Sequence, residues 1–140
     1  MLTRTANAEW RGDLPHGNGE IHFGAFSGAY SFGSRFEHAP GTNPEELLAA
    51  AHAGCFSMAL SAMLADAGFL PTRVHTVAKV AIEKDAGGFS ITRIALTTDA
   101  EVPGITAEQF QQIAGAAKAG CPVSRALAAV PEITLEARLV

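Results

Sequence analysis

The sequence predicts an α+β fold. Three observations carry that expectation: period-two segments near the start, middle and end of the chain, one long apolar segment from Pro44 to Ala67, and capped helical segments before the last strand. At 140 residues the chain is expected to form a single domain, residues 1–140. A chain of that size buries roughly 68–70% of its unfolded surface.

Residues 2–10, which end at Trp10, read as an edge strand. Gly12 and Asp13, then Pro15 to Gly19, carry turn chemistry. Ile21, Phe23 and Ala25 alternate with His22 and Gly24, Ser27 and Gly28 turn the chain, and Tyr30, Phe32 and Ser34 resume the period of two. That pattern predicts a β-hairpin with Arg35 at the far end of its second strand.

Asn43 is a good N-cap, Pro44 suits the first helical position, and Glu46 stands where a capping box closes. Nothing breaks the helix before Ala67 except Gly54, and Gly68 supplies its stop. Between Leu47 and Ala65 the only polar side chains are His52, Ser57 and Ser61. A helix apolar all round must be buried all round. So short a chain has few elements left to enclose it, so a second copy of the subunit is expected to help.

Val74, Thr76, Ala78, Val80 and Ile82 share one face of a further strand, with Lys79 and Glu83 opposite. Asp85 to Gly88 is a hairpin loop, and the return strand sets Phe89 and Ile91 out of phase with Ile94, Leu96 and Thr98. That slip predicts a bulge near Thr92–Arg93. Thr106 caps another helix, with Gln109 as its box partner and Ile105 stapled to Phe110. It ends at Gly120. Cys121 then takes the N-cap of a last helix opening at Pro122, and Ile133, Leu135, Ala137 and Leu139 alternate as a final strand.

The hydrophobic content of 48% excludes a disordered chain. A net charge of −4 without a basic cluster argues against nucleic acid or an anionic membrane as partner. No run of 18 or more purely apolar residues suggests a spanning helix, and the first residues lack the apolar core of a signal peptide. The expectation is a cytoplasmic protein, where thiols stay reduced unless they cycle.

The chain has two cysteines. Cysteine is among the most buried residue types, so an inert core thiol explains either one. Cys121 departs from that reading because a helix N-terminus favours a thiolate. Cys55 lies deep inside the long helix, and its ionisation would need another cation, with Arg35 the candidate and Arg11 the alternative. Glu45 and Glu46 are accounted for by the helix dipole alone. In one straight helix Glu45 lies about 15 Å from Cys55 along the axis. Glu45 therefore meets Cys55 only if the helix bends or breaks, Gly54 being the place for it, or if a partner chain supplies one of them. His52 and Cys55 are one turn apart, yet no close ligand pair completes a metal site from Cys121 and the scattered His16, His22, His38 and His75.

Four segments together resemble the OsmC/Ohr organic hydroperoxide reductases, in their osmotically inducible branch. These are Arg35–Phe36, Gly41 to Glu46, Ala51 to Met58 (which holds His52, Gly54 and Cys55), and Ala119 to Ser124 around Cys121. The likeness runs from Glu9 to the closing strand. It implies an intertwined homodimer with antiparallel sheets wrapping a long central apolar helix, and no metal or organic cofactor. It implies Cys55 as the peroxidatic thiol and Cys121 as the resolving one, joined as a disulfide during turnover. Arg35 and Glu45 would be the charged partners of Cys55, an organic hydroperoxide the substrate and a lipoyl-type dithiol the reductant. Phe36, Phe56 and Met58 would favour organic over hydrogen peroxide. Two departures stand out: Gly54 replaces a common alanine, and the hydroperoxide-resistance branch places its arginine nearer Arg11. The rival class is a non-catalytic stress-induced binding or structural protein with inert thiols.

Overall fold

The computed structural model describes residues 1–140. They fall into two compact units, Met1–Leu47 and Leu48–Val140. In the first unit, β1 (Ala6–Arg11), β2 (Asn18–Phe23) and β3 (Phe26–Tyr30) form an antiparallel sheet in that order. The β2–β3 turn falls at Gly24–Ala25, not at Ser27–Gly28, with Phe23 paired to Phe26 across it. Gly24 has φ +55°, as a two-residue hairpin with glycine first requires. Trp10 and Tyr30 meet at 5.2 Å over Gly19, where a Cβ would collide with both rings.

The second hairpin strand is shorter than the alternation predicts. It stops at Tyr30, and Phe32–Phe36 forms a short helix, α1. Ser31 and Ser34 explain the switch: the Ser31 hydroxyl accepts from the Ser34 N–H, and the Ser34 hydroxyl accepts from the Ser31 N–H. This reciprocal cap satisfies two otherwise orphan donors and outweighs the strand pattern. Ser34 also donates to the Thr42 carbonyl at 2.7 Å, which ties α1 to the start of the long helix. Arg35 therefore lies in the last turn of a helix, not at a strand end.

The long helix, α2 (Pro44–Asp66), is unbroken across its 23 residues, Gly54 included. Asn43 caps it by accepting from the Glu46 N–H at 2.8 Å. The predicted box closes only halfway, because the Glu46 carboxylate accepts from the Thr42 hydroxyl at 3.4 Å. In the second unit, β4 (Arg73–Asp85), β5 (Gly88–Glu101) and β6 (Glu132–Leu139) form a sheet in that order. Ala81 pairs with Arg93 and Ile82 with Ile91, so the bulge lies at Thr92 as predicted.

One expectation is overturned. β6 runs parallel to β5, so this sheet is mixed rather than antiparallel. The reason is the connection: α3 (Ala107–Gly120) and α4 (Pro122–Ala126) carry the chain back to the starting end of its neighbour. Arg138 fixes the register by donating to the paired Asp99 at 2.6 and 3.1 Å. Those hydrogen bonds hold the Asp99 carboxyl below its ordinary value.

Phe56, Leu60 and Leu64 of α2 pack with Ile94, Leu96 and Ala100 of β5 and with Phe110, Ala114 and Ala117 of α3. With His52 they make one stripe at i, i+4 spacing, the face a helix buries. On the other side of α2, Ala51, Gly54, Met58, Ala62 and Ala65 are exposed, Met58 at 76%. By length and composition the helix could cross a bilayer. In this fold its apolar stripe is instead part of a protein core.

Candidate active site

In the first unit, Arg35 and Glu45 form a two-pronged ion pair. Arg35 Nη2 donates to Glu45 Oε1 at 2.8 Å, and Nε donates to Oε2 at 3.1 Å. The carboxylate is buried at 6% exposure and sits in the first turn of α2. Such a fork fixes the plane of the guanidinium as well as its place. Arg35 also lies over the Phe36 ring at 5.2 Å. With Trp10, Leu14, Tyr30 and Phe32, these two residues line a cleft of about 410 Å³, mostly aromatic with one cation.

In the second unit, the two thiols meet. Cys55 reaches from α2 and is partly exposed; Cys121, at the junction of α3 and α4, is fully buried. Burial pushes the Cys55 thiol up; Val123's N–H opposes that, but Cys121 adds to the rise. Burial also resists ionisation of Cys121. There, however, the Ser124 N–H, the Cys55 thiol, the Ser124 hydroxyl and the Val123 N–H outweigh it and carry the thiol below its ordinary value. Within the unit the surroundings thus favour ionisation at Cys121 over Cys55. The start of α4 supplies the N–H groups, as its position predicts.

Sequence reasoning missed the neighbours of Cys121. His52 is fully buried, and its Nε2 lies 2.6 Å from the Ser124 hydroxyl. A signal was available: His52 precedes Cys55 by one helical turn, and Ser124 follows Cys121 by one, so joining the thiols joins the other two as well. Burial lowers the readiness of His52 to protonate. One further expectation needs correction. Phe56 is wholly buried in the core and cannot line a substrate cleft, whereas Met58 is exposed on α2. Phe36 lines the cleft beside Arg35, and Met58 lines a separate one with Ser61 and Val74. The four predicted site residues come together as two pairs, each inside its own unit.

Known proteins identify the family of the chain. The family model for OsmC-like protein matches residues 37–136. The chain belongs to the OsmC family. It is 50% identical to peroxiredoxin OsmC of Escherichia coli over 99% of this chain and 97% of that one. It is 38% identical to an organic hydroperoxide resistance protein of Xanthomonas axonopodis, over 68% of this chain and 66% of that one. Among solved structures, the organic hydroperoxide resistance protein OhrB of Bacillus subtilis superposes with a TM-score of 0.72 at 26% identity, over 97% of this chain and 98% of that one. Both branches of OsmC/Ohr proteins thus share this fold.

Proposed function

We propose that the protein is a thiol-dependent peroxidase that reduces organic hydroperoxides to alcohols. The observation that carries the reading is the Cys55–Cys121 pair: a partly exposed thiol in contact with a buried one that N–H groups favour as a thiolate. Cys55, as thiolate, attacks the distal oxygen of ROOH. The O–O bond breaks, the sulfur becomes a sulfenic acid, and the alkoxide takes up a proton and leaves as the alcohol. Cys121 thiolate then attacks the sulfenic sulfur; the S–S bond forms, and hydroxide leaves to become water. An external dithiol, of lipoyl type, restores both thiols by exchange and is itself oxidised to a disulfide. The cytoplasm supplies such reductants.

The groups around Cys55 within its own unit do not favour its ionisation, so the cation must come from elsewhere. Arg35, held by Glu45, is that cation, and we assign it to a second copy of the chain across a homodimer interface. The open face of α2 around Met58 supports the assembly, since leaving it wet costs about 25 cal/mol for each Å². Sedimentation equilibrium at low micromolar concentration should give twice the 14.5 kDa chain mass. A folded, active monomer would overturn the shared site.

The aromatic cleft beside Arg35 would receive the organic substituent. Burying one aromatic ring favours cumene hydroperoxide over hydrogen peroxide by about tenfold or more. Stopped-flow kinetics of the reduced protein test this. Equal rates would remove the role of the cleft, and no reaction with either would leave the rival, a binding protein with inert thiols.

A further inference from the structure

A buried histidine is an expensive core residue, and His52 has an unusual balance of partners. Its Nε2 is hydrogen-bonded to Ser124 at 2.6 Å, while its Nδ1 is buried with no partner. Ser124 follows Cys121 by one turn and is itself buried at 8% exposure. Its hydroxyl and its N–H both favour a charge on the nearby Cys121 sulfur. A serine hydroxyl has one proton to give. If it gives that proton to the sulfur, it must accept from His52, so Nε2 carries the imidazole hydrogen. Nδ1 is then a bare acceptor. The opposite orientation would bury an unpaired Nδ1–H and aim a hydroxyl lone pair at the thiolate, which is worse on both counts.

We propose that His52 and Ser124 are a buried positioning pair for Cys121, the imidazole N–H orienting a hydroxyl that donates to the sulfur and holds it as the resolving thiolate. This rests on the peroxidase reading above and assigns a role to two residues outside the reacting atoms. In the step concerned, Cys121 thiolate displaces hydroxide from the Cys55 sulfenic acid: the S–S bond forms and the S–O bond breaks. Cys121 is oxidised, the sulfenic sulfur is reduced, and the hydroxide takes a proton from solvent. Neither His52 nor Ser124 changes its net protonation. Their contribution is to keep the attacking sulfur charged and aimed inside a closed core.

The test separates the two half-reactions in the full-length protein. Reduced protein is mixed with cumene hydroperoxide and quenched over time, the sulfenic acid is trapped with dimedone, and the disulfide is counted by mass spectrometry. Ser124→Ala should form the Cys55 sulfenic acid at least as fast as the unsubstituted protein, because Cys121 then competes less with Cys55 for ionisation. It should close the disulfide about tenfold more slowly or worse. Under excess peroxide a species with two added oxygens on Cys55 should then accumulate. Ser124→Thr, which keeps the hydroxyl, and His52→Gln, which keeps an N–H at the reach of Nε2, should restore most of the rate. If Ser124→Ala does not fold, His52→Met against His52→Gln makes the same comparison, with similar volumes and only one N–H. Unchanged disulfide closure, or equal slowing of both half-reactions, would overturn the positioning role. Absence of any sulfenic acid in the unsubstituted protein would instead overturn the peroxidase reading, and this role with it.

Discussion

Cys55→Ser should abolish hydroperoxide reduction and leave the fold intact. Serine is close to cysteine in size, and the Val123 N–H that faces the Cys55 sulfur can donate to a hydroxyl instead. What disappears is the nucleophile. A serine hydroxyl lacks both the sulfur's affinity for peroxide oxygen and an accessible anion. Cys121→Ser should behave differently. Its Cys55 still completes one turnover, but nothing condenses with the sulfenic acid, so continued peroxide drives it to the sulfinic acid and activity stops. Intact-mass spectrometry after graded peroxide doses checks both. A Cys121→Ser protein that cycles normally with a dithiol and gains no two-oxygen species would sink the two-thiol scheme.

The second large effect is expected at Arg35. Arg35→Met should raise the pKa of Cys55 and slow its oxidation by about 10² or more, the scale of losing one preorganised charge donor. Alkylation rate against pH, on the Cys121→Ser background, reads the ionisation directly. The substitution also strands Glu45, whose buried carboxylate loses the hydrogen bonds at 2.8 and 3.1 Å, a cost of about 1–3 kcal/mol. The double variant Arg35→Met with Glu45→Gln removes that stranded charge and should recover stability without recovering rate. Arg11 offers the control. It is exposed and paired with Glu9 at 2.9 Å, a contact worth little. If Arg11→Met shifts the thiol and Arg35→Met does not, the wrong arginine has been assigned.

Much of this could be read from local chemistry. Thr106 and Gln109 announce the start of α3, Asn43 that of α2, and the phase slip after Ile91 the bulge at Thr92, because each is decided by residues a few positions apart. The failures have a common origin too. Tyr30, Phe32 and Ser34 keep the period of a strand, yet two serine hydroxyls three residues apart turn that segment into α1. Alternation at Ile133, Leu135 and Ala137 marks the face of β6 but carries no direction, which the two-helix connection decides. Phe56 and Met58 are near neighbours on an all-apolar helix, and only the packed partners show that one is core and the other is open. His52 and Ser124 meet across 72 positions of sequence, and no pattern within either segment states that they touch.

The parallel pairing of β5 with β6 has a consequence for how the protein opens. Ile94 and Ile133 are neighbours only after the whole connection between them has been folded back, and the closure entropy of a loop near 40 residues opposes that. The β4–β5 hairpin needs no such closure. Its strands are joined by a tight loop and paired over nearly their full length. Cys121 and Ser124 belong to the costly part, while Cys55 and His52 belong to α2. A partial unfolding that releases only β6 and its connecting helices would therefore separate the thiols and hydrate His52 with the hairpin still closed. Amide exchange would see this as two protection classes, and the contact between the thiols should share the lifetime of the less protected one.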